Sequence, residues 1–118
     1  MSFRPALVFI ALCGCTAIDT HHQVAGWPQL AVVEHRVPEA DMRRRCSKYV
    51  GFGMVPEACA EFDFAHAQCH IWYSEEQPPA PGVIAHERLH CQGYEHRGED
   101  ALARALARYR TKLVTVTN

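Results

Sequence analysis

Cys46, Cys59, Cys69 and Cys91 constrain what this chain can fold into more than any other feature of its sequence. A chain of 118 residues has room for one domain. A domain of about a hundred residues buries little apolar surface, so it gains from cross-links or a metal. An even number of cysteines in a short exported domain predicts two disulfides, for which three pairings exist. Cys46–Cys59 with Cys69–Cys91 is favoured, because each bridge then ties neighbouring elements. The competing use is thiolate ligation of a metal, with Cys91 beside His90 as the candidate. Adjacent helical positions point about 100° apart, so Cys91 would aim away from a site on the His90 face. The bridges win.

The other two cysteines lie in the N-terminal stretch MSFRPALVFIALCGC. Arg4 supplies a positive n-region and Ala6 to Leu12 a short apolar run, far below the roughly 20 residues of a spanning helix. Leu12-Cys13-Gly14-Cys15 resembles the bacterial lipobox. That resemblance implies cleavage before a lipidated Cys15, leaving 118 − 14 = 104 residues tethered to the cell envelope, facing the periplasm or the cell surface. Residues 1–14 are then a signal peptide, residues 15–28 a polar tether and residues 29–118 the domain. A plain secretory signal is the alternative, and it also puts the domain outside the cytoplasm. The net charge of −1 and the 21% of charged residues point away from a nucleic-acid partner.

Along the chain, β-branched residues 29–37 predict a strand. Pro38 opens a helix over 39–50, with Met42, Cys46, Tyr49 and Val50 inward and Arg43, Arg44 and Arg45 on a solvated face. Residues 51–59 are a loop. Residues 60–73 alternate like a hairpin: Phe62 and Phe64 against Glu61 and Asp63, then Cys69, Ile71 and Tyr73 against His70 and Trp72. The prolines of residues 75–82 continue neither strand. Helices follow over 83–92 and about 99–113, the last with a stripe of Leu102, Ala105, Leu106, Tyr109 and Leu113. The expected fold is therefore α+β: a short antiparallel sheet packed with two helices.

Function concentrates in HERLHCQGYEH, residues 86–96. His86 and His90 sit one helical turn apart, so both can direct a nitrogen at one point. Glu87 adjoins them. Gly93 tolerates the left-handed conformation that ends a helix, and His96 follows on the returning chain. The order His86-Glu87-x-x-His90-x-x-Gly93-x-x-His96 resembles the metzincin zinc-peptidase motif at every specified position.

The resemblance covers eleven residues and implies a minimal zincin-like peptidase. Zinc would be held by His86, His90 and His96, with Glu87 taking a proton from metal-activated water. The substrate would be a peptide or protein of the cell envelope. Metzincins also carry a methionine turn after the third histidine, whereas the methionines here, Met1, Met42 and Met54, all lie upstream. Glu99 or Asp100 is the alternative third ligand, as in gluzincins. Tyr94, Tyr73 and Tyr109 are candidates for steadying the oxyanion, and residues 69–73 are a candidate edge strand for an extended substrate. His21, His22, His35, His66 and His70 are expected to be surface or satisfied polar residues, and Trp27 and Trp72 packing residues. The rival function is a zinc-binding envelope lipoprotein whose metal is structural or whose role is interaction. Glu87 separates the two, because a structural site has no use for a non-ligating carboxylate.

Overall fold

The computed structural model describes residues 20–51 and 53–117. Cys15, the expected signal peptide and the start of the expected tether lie outside the described residues. The chain is a small α+β domain. Strand β1 (His21–Gln23) precedes β2 (Ala31–Val37), helix α1 (Glu39–Cys46), β3 (Ala58–Asp63), β4 (Gln68–Ser74), α2 (Pro81–Cys91), β5 (Tyr94–His96) and α3 (Ala101–Thr117).

The central sheet has the order β2-β4-β3. β3 and β4 form the expected antiparallel hairpin, with Phe62 opposite Cys69. β2 joins on the other side in parallel, with Val33 opposite His70. Residues 69–73 therefore lie in the middle strand, paired on both sides, and the edge-strand role expected of them passes to β3. Its hairpin turns through Phe64–His66, where Asp63 accepts a hydrogen bond from the backbone N–H of His66 at 3.2 Å.

Alternation along β4 feeds two cores. Cys69 and Ile71 pack with Cys91, Ile84, Phe62 and Leu30 on one face. Trp72 packs with Met42, Cys46 and Cys59 on the other. The sheet is thus sandwiched between α2 and α1, and one disulfide crosses each interface. Cys46–Cys59 fastens α1 to β3, and Cys69–Cys91 fastens α2 to β4. Bridges of this kind contribute about 2–4 kcal/mol each, a large share of a small domain's stability.

Local chemistry sets the helix ends. α1 has Glu39 and Asp41 in its first turn and Arg43, Arg44 and Arg45 in its last, matching the helix dipole. It is shorter than residues 39–50: after Cys46 the chain tightens into a 3₁₀ turn, and Tyr49 swings out to 52% exposure. α2 opens with proline at its first position, where the missing N–H costs nothing. It stops at Gly93, whose φ of +86° few other residues would adopt. On α3, Leu106 is buried, but Leu113 is 46% exposed and does not extend the stripe inward.

Residues 20–28 correct the expected tether boundary. β1 pairs antiparallel with β5, His21 opposite His96. The Trp27 indole N–H donates to the Cys91 carbonyl at 2.9 Å, and its ring meets Phe62 and Phe64 edge-on. A Cβ at position 93 would run into that ring, so Gly93 is needed for packing as well as for φ. Hydrophobic packing thus draws this segment into the domain, which polarity alone did not reveal. Among the described residues, no helix is long and apolar enough to cross a membrane.

Candidate metal centre

α2 presents His86 and His90 on one face, and the turn at Gly93 brings β5 back with His96. Nε2 of His90 lies 3.0 Å from Nε2 of His86. Two nitrogens bound to one tetrahedral zinc, each at about 2.0–2.1 Å, would be about 3.3 Å apart. The ring centroid of His96 is 4.8 Å from that of His86 and 5.3 Å from that of His90. The three motif histidines therefore converge.

A fourth joins them. His21 is 7% exposed, and its ring centroid is 4.4 Å from that of His96 and 5.5 Å from that of His86. One ring nitrogen from each of His21, His86 and His96 can be chosen so that all lie within 4.8 Å of one another, a group able to hold a metal ion. His21 is thus buried rather than at the surface, with its Nδ1 2.9 Å from the Thr20 hydroxyl. Its sequence neighbourhood carried no motif; the signal is its register opposite His96, which only the β1–β5 pairing creates.

The donor chemistry suits a cation. His90 Nδ1 is 2.8 Å from the Tyr94 carbonyl, which can only accept, so Nδ1 carries the hydrogen and Nε2 of the neutral ring keeps its lone pair. Outer hydrogen bonds of this kind orient metal-binding imidazoles. Burial, and then the neighbouring histidines, push the His86 pKa down to about 4. Burial also lowers that of His90, against the Tyr94 hydrogen bond. Both rings are thereby held neutral at pH 7, the form that coordinates metal.

Glu87 and the three motif histidines line a cavity of about 780 Å³, together with Glu99, β3 and one face of α3. His21 is absent from that lining and approaches the cluster from the buried side. Burial alone pushes the Glu87 pKa up to about 7. Of the alternative ligands, Glu99 reaches the cavity, and its charge favours the protonated forms of His86 and His90. Asp100 instead meets Arg104 at 3.4 Å. Of the candidate tyrosines, Tyr109 lines the cavity, whereas the Tyr73 hydroxyl donates to Glu34 at 3.5 Å and Tyr94 contributes its carbonyl to His90.

Glu95 gave no sequence signal. It is 1% exposed, and its Oε1 accepts the Leu102 backbone N–H at 2.6 Å, fastening the strand of His96 to the start of α3. The remaining histidines are engaged elsewhere. His22 is 3.7 Å from Glu95, and His66 is 2.8 Å from Asp63. His35 meets His70 at 2.7 Å and stacks on Trp72, over which Arg45 lies.

Fold and site together define a disulfide-bonded α+β domain with a histidine cluster able to hold a metal. The chain matches no protein-family profile, no curated protein and no solved structure.

Proposed function

We propose that the protein is a zinc-dependent peptidase of the bacterial cell envelope, lipid-anchored through Cys15, in which His86, His90 and His96 hold the metal and Glu87 is the general base. The observation that carries this is a half-buried carboxylate, Glu87, on the wall of the cavity that the three motif histidines line. An all-imidazole donor set suits zinc among the common cations, although copper and nickel accept it too. When bound, zinc would polarise the scissile carbonyl and acidify the attacking water.

The chain's own residues would do the rest. Glu87 takes the proton from the attacking water and passes it to the leaving nitrogen. A general base held near neutrality is matched to proton exchange at pH 7. β3, the sheet edge on the cavity, offers backbone groups to an extended substrate. The two disulfides agree with an oxidising compartment outside the cytoplasm.

His21 favours a second reading. Its ring centroid lies 5.5 Å, 6.3 Å and 4.4 Å from those of His86, His90 and His96, and a fourth imidazole on the ion would leave a tetrahedral site with no open position, as in a structural site. Two variants separate the readings. The metal-loaded Glu87→Ala protein should keep its zinc and lose roughly 10²–10⁴-fold in peptide hydrolysis, while His21→Ala should keep hydrolysing. Loss of zinc from His21→Ala, together with an inactive wild type, would establish the structural reading.

A further inference from the structure

We infer that the far end of the cavity binds a carboxylate of the substrate through Arg108 and Lys112, so that the preferred ligand is an extended peptide with an acidic group several residues from the metal cluster. The inference rests on the peptidase reading for the substrate's chemistry and refines it.

The cavity wall formed by α3 is one helical face: Ala101, Leu102, Ala105, Arg108, Tyr109 and Lys112 all line it. Such a spacing repeats every three to four residues, so these positions form a row running away from the histidines. With a rise of about 1.5 Å per residue, Arg108 stands about 9 Å along α3 from Leu102, and Lys112 about 15 Å. An extended peptide advances about 3.3 Å per residue, so three to five residues cover that interval. The surface between carries two aromatic rings. Phe62 and Phe64 line it from the hairpin, and Phe64 stacks on Tyr109 with centroids 5.3 Å apart.

Charge selects the ligand. Of the acidic residues on the hairpin side, Glu61 is paired with Arg45 at 3.7 Å and Lys48 at 3.8 Å, and Asp63 is hydrogen-bonded to His66 at 2.8 Å. Arg104 and Arg110, on other faces of α3, also have partners in Asp100 and the Gly26 carbonyl. Among the described residues, no carboxylate lies within 4.0 Å of Arg108 or Lys112. Like charges one turn apart on a helix repel each other. Two such cations facing a cavity are complementary to an anion. Their reach fits a carboxylate, from an aspartate or glutamate side chain or from the peptide's own C-terminus.

Binding can be read without turnover. Labelled peptides would be titrated by anisotropy against the full chain carrying Glu87→Gln, with glutamate or glutamine at each position and with a free or amidated C-terminus. The glutamate–glutamine and acid–amide pairs show which source supplies the carboxylate. The acidic peptide should bind roughly tenfold tighter than its neutral match, and added Arg108→Gln and Lys112→Gln should erase that margin while leaving neutral-peptide binding and zinc content unchanged. Equal binding of acidic and neutral peptides, or a margin that survives both substitutions, overturns the inference. Wild-type cleavage of both peptides at equal efficiency would also overturn it while leaving the peptidase reading intact. An intact binding margin with no cleavage would support the carboxylate site and remove the peptidase reading.

Discussion

The sheet sandwich and the metal corner are built on different principles. In the sandwich, strands of six and seven residues pair along their length, two buried clusters fill the faces, and a disulfide clamps each of α1 and α2. The corner consists of two three-residue strands, the last turn of α2, the start of α3 and four converging histidines. Ladders this short give little stability by themselves. What fixes the corner is a set of polar contacts: two long-range, Trp27 to Cys91 and Gln23 to Gln92, and one local, Glu95 to Leu102. The lesson is one of division. Covalent bridges hold the sheet and its two helices, while the corner has only short ladders and a histidine group able to hold a metal.

Removing the metal tests this division most severely. At a metal concentration a thousandfold above Kd, binding stabilises the folded form by about 4 kcal/mol. Chelation should strip hydrogen-exchange protection from β1 and β5 while β4 stays protected. Simultaneous loss in both regions would break the comparison. The disulfides come next. The Cys46→Ser, Cys59→Ser pair should lower stability by about 2–4 kcal/mol in urea and leave zinc affinity unchanged. The Cys69→Ser, Cys91→Ser pair should cost a similar amount and also weaken zinc binding, because α2 carries His86 and His90 and belongs to both regions. Equal effects of the two pairs on metal affinity would show that the regions are not separable.

The two regions also differ in how much of them the sequence disclosed. Alternation in residues 68–74 and the helical spacing of α2 were legible because each is local, and the convergence of His86, His90 and His96 followed from spacing plus one glycine. The cysteine pairing was legible for a related reason: each bridge joins elements that follow one another in the chain. What escaped was non-local. The parallel pairing of β2 with β4 made the expected edge strand a central one. His21 and Trp27 looked like part of a tether because the partners that draw them into the domain lie 35 or more residues away, at Phe62 and beyond. Glu95 gave no signal at all, because its carboxylate gains its partner, the Leu102 N–H, only once α3 packs back against β5.

Glu95 therefore offers a finer cut. Glu95→Ala removes the acceptor for an N–H at the start of α3 and should cost about 1–2 kcal/mol. It should also weaken zinc binding by roughly 10-fold or more, through the lost support of His96. Glu95→Gln keeps an oxygen in place and should recover most of both. If Glu95→Ala lowers stability without touching metal affinity, the carboxylate serves α3 alone and His96 is held by the β1–β5 ladder.

The smallest effect is a pH dependence of the metal-free protein, and its sign follows from which state takes up protons. His86 has a pKa of about 4 when folded, against 6.5 as its ordinary value, because burial and then His90, His96 and His21 oppose its charge. Above pH 6.5 it is neutral whether folded or unfolded, and stability is insensitive to it. Between pH 6.5 and about 4 the unfolded chain binds a proton at this histidine that the folded chain refuses, so its contribution to stability falls with pH and levels off below about 4. Glu87, raised from 4.5 to about 7 by burial, acts in the opposite sense over much of that range, so the histidine effect is read in a Glu87→Gln background. His35, in the sandwich, is shifted in the same direction by burial, His70 and Arg45. Titrating the His35→Gln, Glu87→Gln variant isolates the histidine corner: β1 and β5 amides should lose protection on acidification before those of β4 do. If β4 opens first at pH 5, the acid-sensitive weakness lies in the clamped sheet, and the histidine corner is the more firmly built of the two.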